Sequence, residues 1–192
     1  MPALPVKFRR WILPVALIVI FATSAVDHLG LFGYEGDDMR RFDGQSLDVA
    51  GVVGGDTLQS YQSHGRGLHV HLLGVSAPAG AEHWANESKQ ALSDRITGKK
   101  VLLRLDPMQT RTRSGDIDAY VYLEDELINV EPIRLGHAYA DRRQSHAWGS
   151  VFESSGASTR RRKLALWETL RSSQMPQWRR DWLRSFSSSS GR

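Results

Sequence analysis

Cysteine is absent from the 192 residues, which excludes disulfides and thiolate metal sites. Acidic residues are scarce at the C-terminal end. Residues 160–192 hold nine Lys/Arg and two acids, a charge of +7. The whole chain carries +4, so the remainder carries −3. The basic surplus belongs to the tail, and it is no argument that the middle of the chain meets nucleic acid. A long apolar run is lacking too. The uncharged stretch 11–26 spans sixteen residues, which at about 1.5 Å each falls short of the ~30 Å hydrocarbon core.

The residues around that stretch still give it a membrane character. Lys7, Arg9 and Arg10 precede it, and Leu29 to Tyr34 add apolar length beyond Asp27 and His28. Residues 1–26 are expected to be a single-pass anchor with the N-terminus cytoplasmic and the domain on the opposite side. A signal peptide, with secretion after cleavage, is the alternative reading of the same residues. A polar linker is expected over 27–45, a folded domain over 46–171 and a basic amphipathic tail over 172–192.

At 41% apolar content the chain can bury a core. From Ser46 the pattern turns to strands. "SLDVAGVVG" and "DTLQSYQ" are followed by the turn "SHGRG" and then by "GLHVHLLGV". There Leu68, Val70 and Leu72 alternate with His69, His71 and Leu73. A helix follows, with Trp84, Ser88, Ala91 or Leu92, and Arg95 or Ile96 at helical spacing and Gly98 as a stop. "KVLLRL" and "DAYVYLEDE" are two more strands. Asn129 is expected to cap a short helix that ends at Gly136. Residues 137–156 are weakly patterned and read as a long loop. "STRRRKLALWETL" reads as one helix burying Leu164, Trp167 and Leu170, and "QMPQWRRDWLRSF" as an amphipathic one.

Three strands, a helix, two strands and a helix suit a five-stranded OB barrel with helices packed on it, an α+β arrangement. The motifs "VVGGDTL", "VHLLGVSAP", "GKKVLLRL", "AYVYLEDELINVEPIRLGHAYA" and "LALW" together resemble the thermonuclease (staphylococcal nuclease-like) family over about residues 46–167. The resemblance implies that family's barrel and its calcium-dependent cleavage of DNA and RNA. It also implies where the family's working residues should fall. The D-G-D-T turn is here Gly54-Gly55-Asp56-Thr57, so Asp56 is kept. The strand-borne arginine falls on His71, the second calcium aspartate on Ser76, and the carbonyl-donating threonine on Ala77. The catalytic glutamate falls on Ala79 and the second arginine on Asp116.

These departures set the functional expectation. Calcium takes six to eight oxygens, and carboxylates offset its dehydration. Asp56, Ser76 and Ala77 supply one carboxylate. Ala79 cannot accept a proton, and Asp116 puts a negative charge where guanidinium forks would stabilise a phosphoryl transition state. The chain is therefore expected to be a degenerate member acting as a binding module for protein or nucleic acid. It would have no cofactor, or calcium if the family activity survives. A surviving or rebuilt metal-dependent nuclease is the alternative. In that case Glu82 or Arg113 would move inward, or His69 and His71 would hold a borderline metal with Asp56, with His83 as a further candidate. Tyr120, Tyr122 and Arg113 are weak candidates for nucleic-acid contact.

Overall fold

The computed structural model describes residues 37–61 and 67–189, without the side chains of residue 183 and residues 185–189. The expected anchor at 1–26 lies outside the described residues, as do most of the linker and the "SHGRG" turn. Among the described residues no helix is long and apolar enough to cross a membrane. The chain divides into units Met1–Arg40 and Arg41–Arg192, and the second holds the barrel. A short helix α1 (Asp38–Phe42) lies at the end of the expected linker.

Five strands form a closed barrel. β1 (Ser46–Gly54), β2 (Thr57–Tyr61) and β3 (Gly67–Leu72) run antiparallel in succession. β5 (Lys100–Leu105) pairs with β1, and β6 (Ile117–Leu123) pairs with β5. The seam closes where β3 and β6 pair in parallel through Val70–Ile117, His71–Asp118 and Leu72–Ala119. Short strands β4 (Val75–Ser76) and β8 (Tyr139–Ala140) pair beside it, and β7 (Glu126–Leu127) extends β6. Two register irregularities in β1 let that long strand coil round the barrel.

The alternation read in "GLHVHL" is realised: Leu68, Val70 and Leu72 are buried, and His69 is exposed. Leu58, Val70, Leu72, Leu103, Ala119 and Val121 are fully buried. Each large aliphatic among them contributes roughly 1.5–3 kcal/mol by leaving water. Helix α2 (Ala85–Ile96) covers one side with Ala85, Ser88, Leu92 and Ile96.

Three local expectations need correction. Asn129 does not cap α3 (Val130–Leu135) with its side chain. Its Oδ1 accepts from Val121 N at 2.8 Å, and its Nδ2 donates to Ala119 O at 2.9 Å and Leu73 O at 3.0 Å. Fully buried, it bridges the barrel wall, and that need outranks the cap. The expected loop over 137–156 instead contains β8 and the start of α4 (Gly149–Arg161). Serine and glycine weaken the local helix signal, and burial of Phe152, Gly156 and Thr159 on one face outweighs it. The single helix expected over 158–170 breaks at Lys163 and Ala165, both at positive φ, before α5 (Leu166–Thr169). The break buries Leu166 completely and sets Trp167 edge-on to Tyr139, with ring centroids 5.4 Å apart.

Helix α6 (Gln177–Ser189) comes last. Met175 and Trp178 pack against the cluster of Tyr139, Leu166 and Trp167.

Candidate functional site

Glycine lets the β1–β2 turn come close to α2. A Cβ on Gly55 would lie 2.6 Å from Ser88 Cβ and 2.8 Å from Ala77 Cβ, so the turn needs glycine there. Asp56 follows at once and is held firmly. Its Oδ1 accepts from Thr57 Oγ1 at 2.9 Å, its Oδ2 from Ala77 N at 2.8 Å, and its carbonyl from Leu72 N at 2.8 Å.

Barrel closure assembles the rest. Thr57 stands opposite His71 across β2–β3, and His71 stands opposite Asp118 across the parallel seam. His71 Nδ1 donates to Asp118 Oδ1 at 2.9 Å, and its Nε2 lies 3.8 Å from Asp56 Oδ2. The ring is thus set between two carboxylates. Asp118 is 2% exposed and its other oxygen accepts from Gln109 Nε2. Burial pushes the His71 pKa down. The Asp118 hydrogen bond and the charges of Asp56, Asp118 and Asp141 outweigh it, holding the pKa above the ordinary value.

A cleft of about 420 Å³ opens on this row, lined among others by His71, Gln109, Arg113, Asp118, Arg143 and His146. Arg143 is drawn to Asp141, its Nε donating at 2.9 and 3.0 Å to the two carboxylate oxygens. Asp141 is fixed in turn by its backbone N donating to Gly74 O at 2.9 Å. His146 packs over Gly74, where a Cβ would collide with its ring. Burial pulls the His146 pKa below the ordinary value.

The residues singled out in the sequence fall in several places. Asp56, His71 and Arg113 come together at or beside the cleft. Asp116 also lines it, hydrogen-bonded by Ser114 Oγ at 2.7 Å and 3.5 Å from His69 Nδ1. The two histidines of β3 therefore turn to different carboxylates. Among the described residues, no group of three or more His, Asp or Glu side chains has a metal-holding arrangement. Ser76 lies in β4 and Ala77 is engaged through its amide. Ala79 N donates to Glu82 Oε2 at 2.9 Å, so Glu82 closes its own turn and is not among the cleft-lining residues. His83 is bonded to Thr169 at 2.9 Å. Tyr120 is buried with its hydroxyl 3.1 Å from His146 Nδ1 and presents no open ring; Tyr122 is half-buried.

Sequence reasoning missed Asp118, Asp141, Arg143 and His146. For Asp118 the signal was there: a carboxylate inside an otherwise apolar strand. The other three come after β8 in a segment whose position no periodicity reveals.

Comparison with known proteins adds a family match. The sequence model described as Staphylococcal nuclease homologue (SNase) matches residues 69–169. The chain is similar to an "Uncharacterized endonuclease" of Haemophilus influenzae, 26% identical over 132 residues, covering 69% of this chain and 71% of that protein. It is also similar to a "Thermonuclease" of Staphylococcus intermedius, 25% identical over 164 residues, covering 82% and 94% respectively.

Proposed function

Because the chain belongs to the staphylococcal nuclease homologue family, we propose that it is a divergent nuclease-fold domain that no longer cleaves phosphodiesters and instead binds nucleic acid, tethered to a membrane by residues 1–26. The observation that carries the reading is the position of His71. Where the family resemblance puts an arginine aimed at phosphate, this imidazole lies between Asp56 and Asp118.

The residues do not fit calcium. Both Asp56 side-chain oxygens already accept protein hydrogen bonds, and the second aspartate position is Ser76. One carboxylate with a hydroxyl and a carbonyl is a weak cage for an ion that needs six to eight oxygens. No base stands at Ala79, and Glu82 is turned to the Ala79 amide. Asp116 repels the charge that builds up in phosphoryl transfer. These losses act within one site and do not add, yet each removes a separate requirement.

Nucleic acid is favoured over protein as the partner class by the two relatives, one named an endonuclease and the other a thermonuclease. The test is an assay on single-stranded DNA with calcium, manganese or zinc, beside a binding titration at low salt. The expected result is binding without cleavage, and no rise in melting temperature on adding calcium. Robust cleavage lost in Asp56→Ala would establish a working enzyme instead. Capture of a protein with no oligonucleotide affinity would favour the protein-module reading. Recovery of the full chain in the supernatant after alkaline washing of membranes would refute the tether.

A further inference from the structure

We propose that the C-terminal helix supports the cleft from outside its lining, and that its Trp178 together with Asp141 positions Arg143 as the guanidinium that takes a nucleic-acid phosphate. The proposal rests on the nucleic-acid reading above and adds a residue, Arg143, at none of the positions where the resemblance puts the family's arginines.

The carboxylates of the cleft already have partners. His71 answers Asp118, and Asp116 is engaged by Ser114 and His69. Two arginines line the same cleft. Arg113 is exposed and makes no ion pair among the described residues. Arg143 is anchored. Asp141 receives its Nε, its Nη2 and its backbone N, and its guanidinium carbon lies 4.9 Å over the Trp178 ring. Such double anchoring lowers the entropy lost when a ligand arrives. The side chain remains 54% exposed, so an anion can reach it. A guanidinium forks onto phosphate better than an ammonium does.

Trp178 is itself fixed. Its ring meets Tyr139 edge-on at 6.3 Å. Next to it, Arg179 is 2% exposed and lies 4.6 Å over the Trp182 ring, which Arg142 also approaches, at 5.0 Å. The helix thus holds the 141–143 turn through cation–π contacts of Arg142 and Arg143.

The test measures the affinity of a fluorescein-labelled oligothymidylate for the full chain as a function of salt. Arg143→Gln is expected to weaken binding about tenfold and to lower the salt slope by about 0.7, the loss of one phosphate contact on a single strand. Trp178→Leu should weaken binding severalfold in the wild-type background and not at all in Arg143→Gln, because it acts only through that arginine. Trp178→Phe keeps an aromatic face and should restore affinity, and it serves if the leucine variant unfolds. An unchanged affinity in Arg143→Gln, or an equal Trp178 effect in both backgrounds, overturns the inference while leaving the nucleic-acid reading intact. No binding by the wild-type chain overturns both.

Discussion

Replacing His71 by leucine should expose how much of the fold depends on the charge row across the seam. The variant keeps an apolar group on β3 but strips Asp118 of its 2.9 Å partner. Asp118 is 2% exposed, so water cannot take over. Removing one member of a buried ion pair costs about 3–5 kcal/mol. Gln109 still donates to the other oxygen, and the His71 side chain is itself 20% exposed, which argues for the low end, about 3 kcal/mol. For a chain of this size that is a fall of roughly 6–12 °C in melting temperature. The folded His71 pKa lies above the ordinary 6.5, so its charge contribution is complete below that value. It is lost as pH rises through the folded pKa. Urea unfolding should therefore show the largest difference between wild type and variant at and below about pH 6, shrinking as pH rises through the folded pKa. Adding Asp118→Leu should recover part of the loss, since an apolar pair carries no stranded charge. A cost below about 1 kcal/mol with no pH dependence, or a double variant at the sum of the two single ones, would refute the view of His71 as the internal counter-charge.

Three further substitutions test the frame. Asn129→Leu strands Val121 N and Leu73 O, while Ala119 O keeps Leu73 N as a donor, and should cost about 2–3 kcal/mol by urea unfolding. Gly136→Ala combines a φ of 85° with a Cβ 2.5 Å from Leu164 O; a loss of about 1–3 kcal/mol is expected by calorimetry. Gly55→Ala pushes the β1–β2 turn off α2. It should cost about 1–3 kcal/mol and lower the hydrogen-exchange protection of the Ala77 amide, which now donates to Asp56.

Barrel strands were readable because their apolar residues alternate. Val70 and Leu72 told their own orientation, and the glycine-rich turn before Asp56 marked its place. The site was readable only where it coincided with motifs. His71 stood out, but its partner did not, because a parallel pairing between residues 47 positions apart leaves no local trace. Asp141 and Arg143 were invisible for another reason. What places them is β8 pairing with the two-residue strand β4 and a tryptophan from the last helix, neither of which has a period. Asn129 misled because a residue type that suits a helix start also suits a buried bridge.

That bridge has a consequence for how such a scaffold changes over time. The parallel seam is three residue pairs long, a weak closure if it stood alone. One amide side chain ties the backbone at residues 73, 119 and 121, and these hydrogen bonds involve neither Asp56 nor Ala79. With closure held by that amide, residues at the positions where Asp56 and Ala79 stand can be exchanged for others without the wall coming apart.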